Sequence, residues 1–219
     1  MRIVNSPDDE KRLAAEAAAE LVESGMTLGL GTGSTVAHLL PAIARRNLTG
    51  IRCVATSVAT EEQARELEIP VEDFDSLQRL DIAIDGTDEV TPEGWLIKGG
   101  GGAHLREKVV AAAAERFVVI CDSSKPVETL RGPVPLELFG FGAASTLARL
   151  GADVSLREAP PSPDGGLIAD YRGSGLDDPA ALAARLEADP GVAAHGLFPP
   201  QMVSEVFVGR GDGVDIRQV

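Results

Sequence analysis

Apolar and polar positions change rhythm several times along the 219 residues. The first clear segment, SPDDEKRLAAEAAAELVESG, has helical spacing. Ser6 stands where an N-cap belongs, Pro7 at the first helical position, Asp9 three residues past the cap, and Gly25 at the end. TLGLGTG then reads as a short strand running into a glycine turn, and STVAHLLPAIARRN as a helix kinked at Pro41. IRCVATS is a strand, TEEQARELEI a helix, LDIAIDGTD a strand ending in acids, HLREKVVAAAAERF a helix and FVVICD an apolar strand. Apolar strands alternating with helices predict a mainly parallel sheet covered on both faces.

The rhythm changes after about residue 130. PLELF, GAASTLARLG and ADVSLREA read as strand, helix, strand; SPDGG is a turn; LIADYRG, DPAALAARLEADPG and VAAHGLF repeat the order. That βαββαβ succession is the ferredoxin-like α+β arrangement. VSEVFVGRGDGV is strand-like and can rejoin the first sheet. The expected division is an α/β domain over residues 1–130 and 203–219, with a smaller α+β domain over residues 131–202.

Charge narrows the partners. Phosphodiester contacts need a basic face, and with a formal net charge of −14 nucleic acid is not an expected partner. No apolar run approaches twenty residues and the N-terminus carries no apolar leader core, so neither a membrane span nor a signal peptide is expected and the cytoplasm is the default compartment. Among 20 basic residues, lysine supplies only Lys11, Lys98, Lys108 and Lys125; a high-salt habitat and GC-rich coding would each produce that bias. Cys53 and Cys121 lie in apolar strands and read as buried thiols, which argues against a disulfide scaffold or a zinc site.

Chemistry concentrates in four loops. In GLGTGSTV, residues 29–36, a strand ends in glycines and a helix follows, so backbone N–H groups and the hydroxyls of Thr32, Ser34 and Thr35 can face an anion around Gly33. A P-loop would need a lysine there, and a dinucleotide fingerprint a third glycine and an acid after the next strand, where Thr56 and Ser57 stand instead. In LDIAIDGTDE, Asp85 and Asp88 lie where a strand ends, around Gly86 and Thr87. They can face one pocket or merely cap turn amides. In IKGGGGAHLREK, Lys98 precedes the run Gly99, Gly100, Gly101 and Gly102, which lets backbone approach a ligand closely. Glu107 falls in the first or second turn of the following helix, Lys108 projects away from it into solvent, and His104 resembles His38 and His195 in being unremarkable. DSSKPV, residues 122–127, again sets hydroxyls and a lysine after a strand. Together the loops predict a pocket for a small anionic substrate, with carboxylates for proton transfer and a lysine for developing negative charge. No His/Cys/Asp/Glu cluster has metal-ligand spacing, so a metal-free mechanism is expected.

GLGTGST, TS at 56–57, DGTDE, IKGGGGA with REK, SSK, and PGV with HGLF at 190–198 resemble ribose-5-phosphate isomerase of type A over essentially the whole chain. The resemblance implies a Rossmann-like catalytic domain, a ferredoxin-like second domain, and a cofactor-free aldose–ketose isomerase of the pentose phosphate pathway. It implies Glu107 as the proton-transferring base, Asp85 as the group assisting ring opening, and Lys98 as the cation steadying an enediolate. Substrate contacts carry over to Thr32, Gly33, Ser34, Thr35, Asp85, Gly86, Thr87, Asp88, Lys98, Gly99, Gly100, Gly101, Lys125 and Lys11. A homodimer or homotetramer is implied. Two readings compete. A related sugar-phosphate hydrolase or deaminase would be expected to use a histidine. A sugar-phosphate-sensing regulator module would normally be joined to a DNA-binding domain.

Overall fold

A computed structural model describes residues 6–219. Helix α1 (Pro7–Ala19) starts at a reciprocal capping box: Ser6 Oγ accepts from Asp9 N–H (3.2 Å), and Asp9 Oδ2 accepts from Ser6 N–H (3.1 Å). It stops six residues short of Gly25 because Arg46 donates to the Ala19 and Val22 carbonyls, satisfying them without a further helical turn. Strand β1 (Thr27–Leu30), α2 (Val36–Arg45), β2 (Arg52–Ala55), α3 (Val58–Glu66) and β3 (Leu80–Gly86) follow as the periodicity predicts, with Pro41 inside α2.

Helix α4 (His104–Ala113) is shorter than its alanine-rich sequence suggests, and β6 (Ala114–Asp122) takes over at once. Ala114 and Arg116 stand in register with Leu80 and Ile82 of β3, so ladder pairing overrides the helix propensity of alanine. Two two-residue strands between them, β4 (Glu89–Val90) and β5 (Leu96–Ile97), leave no periodic signature. The later elements are β7 (Val134–Leu138), α5 (Ala143–Leu150), β8 (Val154–Leu156), β9 (Leu167–Tyr171), α6 (Pro179–Glu187), β10 (Val192–His195), β11 (Leu197–Phe198), β12 (Glu205–Arg210) and β13 (Gly213–Gln218).

The chain forms two compact units. The first, residues 1–87, 106–125 and 201–219, holds a six-stranded sheet in the order β13-β12-β6-β3-β1-β2, parallel except for the terminal β12–β13 hairpin. Its core joins Ala14, Ala15 and Ala18 of α1 with Leu39, Leu40 and Ile43 of α2 and the strand residues Leu28, Leu30, Ile82 and Ile84. Small residues let α1 lie close: a Cβ on Gly209 of β12 would sit 1.9 Å from the Glu10 carbonyl oxygen. Cys53 and Cys121 are buried, and burial pushes each thiol up to about 12.

The second unit, residues 88–105 and 126–200, has an antiparallel sheet in the order β10-β7-β9-β8, which is the ferredoxin-like order. Its core is Leu136, Leu138, Ala169, Tyr171, Leu182 and Leu186. VAAHGLF is two strands rather than one, because the chain changes sheets at Gly196: its N–H donates to the Pro135 carbonyl (2.7 Å) and its own carbonyl accepts from Lys98 N–H (2.9 Å). β11 thereby joins β5 and β4 in a three-stranded sheet. Among the described residues no helix is long and apolar enough to cross a membrane.

Candidate active site

In the first unit the turn after β1 is built around one carboxylate. Asp85, at the end of β3 and 3% exposed, uses Oδ1 to accept the N–H of Thr32 (3.0 Å) and that of Gly86 (2.7 Å). The turn approaches so closely that a Cβ on Gly31 would lie 2.0 Å from that oxygen, which is why glycine stands there. Beneath it, Thr60 Oγ1 donates to the Gly31 carbonyl (2.9 Å) and the hydroxyls of Thr32 and Thr56 share a hydrogen bond (2.7 Å). Of the two roles the sequence allowed, the structure shows Asp85 ordering turn amides from the end of β3.

The first turn of α2 has no side chain capping it. Gly33 and Ser34, just before it, are exposed, and Lys11 of α1 donates through Nζ to Ser34 Oγ (3.0 Å). An uncapped helix N-terminus with an ammonium group beside it suits a phosphate. Glu10 keeps α1 in place by accepting the N–H groups of Ser123 and Gly211, each at 3.0 Å. Hydrogen bonding from Ser123, then from Gly211, holds the Glu10 carboxyl below its ordinary range. Lys125 follows the same turn, where Asp122 Oδ1 accepts Ser124 N–H (2.9 Å) as an Asx cap.

Glu107 is 5% exposed on α4. Val110, one turn later, fills the space above Gly29 of β1, where a Cβ would meet it at 2.4 Å. Helix α4 runs back to β6, which is parallel to β3, so Glu107 lies toward the carboxyl ends of the strands, the end where Asp85 stands. Lys108 is half-buried rather than solvent-exposed.

In the second unit, Lys98 is 2% exposed at the end of β5, its Nζ 5.6 Å from the Phe198 ring centroid. Gly99 takes φ +98°, and a Cβ there would lie 2.6 Å from His104 Nδ1; His104 is fully buried against this loop. Asp88 Oδ2 accepts Gly100 N–H (2.8 Å). Arg157, 57 residues further on, donates to the Gly100 carbonyl (2.8 Å). Sequence reasoning passed over His104, Thr60, Glu10 and Arg157. Only the i,i+3 spacing of His104 and Glu107 on one helix could have flagged any of them.

A parallel sheet with a glycine turn after its first strand and buried carboxylates, Asp85 and Asp122, at the ends of its strands places the protein in the α/β class. Comparison with known proteins narrows that class. The family model for ribose 5-phosphate isomerase A (phosphoriboisomerase A) matches residues 52–213. The ribose-5-phosphate isomerase A of Caulobacter vibrioides is 47% identical over 95% of this chain and 97% of that protein. The crystal structure of the Neisseria gonorrhoeae protein of that name superimposes with a TM-score of 0.94 at 33% identity, covering 99% of each chain. A D-ribose-5-phosphate isomerase solved with phospho-erythronic acid gives 0.92 at 31% identity, over 98% of this chain and 100% of that one. The chain belongs to the ribose 5-phosphate isomerase A family.

Proposed function

We propose that this protein interconverts D-ribose 5-phosphate and D-ribulose 5-phosphate, as a step of the non-oxidative pentose phosphate pathway. The observation that carries the reading is the pair of buried carboxylates, Asp85 and Glu107, in a unit whose first strand-to-helix turn suits a phosphate. Membership of the family supplies the substrate, and the phospho-erythronic acid bound by a relative is a sugar-acid phosphate of matching chemistry.

In the proposed reaction the phosphate binds at the α2 N-terminus with Lys11, and Lys125 adds a second ammonium group. Asp85 assists opening of the sugar ring. The Glu107 carboxylate removes the C2 proton of the open aldose, and the electron pair moves onto the C1 carbonyl oxygen to give an enediolate. Lys98, with the amides of Gly99, Gly100 and Gly101, steadies the negative oxygen, while Asp88 orders that loop. Glu107 then returns its proton to C1 while the proton on O2 passes by way of Asp85 to O1, which yields the ketose. Remote binding of the phosphate orients a flexible chain, which is where such binding energy is best used. No step calls for a metal or organic cofactor. The working form is proposed to be a cytoplasmic homodimer or homotetramer.

The test is isomerisation of D-ribose 5-phosphate with a chelator present, comparing the wild type with Glu107→Gln. Turnover that survives chelation and collapses in the variant supports the reading. Binding of sugar phosphate with no turnover in the wild type would favour a sensor module instead.

A further inference from the structure

The glycine loop of the second unit packs against His104 at Gly99 and against Ile168 at Gly102, but not at its tip. A cavity of about 280 Å³ borders Gly100 and Arg157, and a Cβ on Gly101 would have no neighbour within 4 Å. The carbonyls at the tip are held by Arg157, the residue after β8. Arg157 Nη1 donates to the carbonyl of Gly100 (2.8 Å) and, at 3.3 Å, to that of Gly99. The rest of its fork is locked onto Asp170 of β9, with Nε to Oδ2 at 3.1 Å and Nη2 to Oδ1 at 2.7 Å. Asp170 is itself 8% exposed and takes a second arginine, Arg172, at 3.3 Å.

Carbonyl and following N–H point in opposite directions across a trans peptide. Pulling the Gly99 carbonyl toward Arg157 therefore sends the Gly100 N–H the other way, where it meets Asp88 Oδ2 at 2.8 Å. Pulling the Gly100 carbonyl toward Arg157 sends the Gly101 N–H the other way too. Gly101 is exposed, and among the described residues no protein group accepts from that N–H. A guanidinium can do this because its donors are planar and numerous, so one arginine holds a carboxylate and two carbonyls at once; a lysine has no such fork.

We propose that Arg157, backed by Asp170, is a positioning residue that presents the Gly101 N–H to an anionic oxygen of the substrate. The proposal rests on the functional reading above, since it takes the glycine loop as a substrate contact.

Arg157→Lys and Asp170→Asn test it in the full-length protein. Kinetics on D-ribose 5-phosphate and amide hydrogen exchange at residues 99–102 without substrate are the two readouts. A hydrogen bond to a charged group is at stake, so kcat/KM should fall roughly ten- to a hundredfold in Arg157→Lys and less in Asp170→Asn. Thermal midpoints should stay within a few degrees of wild type, while Gly102, whose N–H bonds the Gly99 carbonyl at 2.9 Å, exchanges faster in both variants. Faster exchange with unchanged kcat and KM would overturn the proposal. So would loss of the folded state in both variants, because the pair would then be a general structural pin. A wild type that turns over no ribose phosphate, yet shows the same exchange response, would remove the functional reading while leaving Arg157 as the loop's tether.

Discussion

The two units hold their polar groups in opposite ways. In the first, Asp85 orders the turn after β1 from the adjacent strand, and the α2 amides follow directly in the chain. In the second, the glycine loop takes its shape from Asp88 nearby and from Arg157 across the ferredoxin-like sheet. A turn held by neighbouring strands of one parallel sheet is rigid by construction. A loop held by a nearby carboxylate and one distant arginine has a single long-range tether. The contrast teaches that glycine stands in two settings here: Gly31 permits close approach, whereas a side chain at Gly101 would meet nothing within 4 Å.

The largest expected effect separates chemistry from positioning. Glu107→Gln should lower kcat by ~10²–10⁴ with little change in KM, and Asp85→Asn should change both, since Asp85 also orders the Thr32 turn. Steady-state kinetics on both variants checks this; equal and pure kcat losses would erase the distinction. Next, Gly31→Ala should cost about 1–3 kcal/mol and much of the activity, because the new Cβ would collide with Asp85, whereas Gly101→Ala should leave stability unchanged. Denaturant melts of the pair would break the comparison if the two losses were alike.

Smaller effects probe the frame of the first unit. The Glu10 carboxyl is held below its ordinary range in the folded state, so its contribution is fully present above the ordinary carboxylate range and is lost as pH falls toward the depressed value. Glu10→Gln should therefore lower the melting temperature at neutral pH and flatten its decline in acid, as melts across pH would show. Ser6→Ala, which removes half of the α1 capping box, should cost about 1 kcal/mol and leave kcat untouched. At the foot of the scale, Cys53 and Cys121 should resist alkylation in the native protein and react only on unfolding, because burial keeps both thiols protonated.

Most regular elements could be read from the pattern of apolar positions, because their periods come from local geometry. The α1 cap was legible because Ser6, Pro7 and Asp9 are neighbours in the chain. The ends of α1 and α4 were not, since Arg46 and the β3 ladder decide them from a distance. β4 and β5 escaped because two residues cannot display a period.

By itself, then, the amino-acid sequence determined the alternation of strands and helices, the acidic balance, the family, and the loops in which Thr32, Asp85, Lys98 and Glu107 stand. Each of these is a property of residues close together along the chain. Only the tertiary structure decided that His104 lies beneath Gly99, that Thr60 supports Gly31, that Glu10 fastens α1, and that Arg157 holds the glycine carbonyls. Those contacts join positions up to 201 residues apart, and no local spacing can encode a hydrogen bond whose partners meet only when the sheets form.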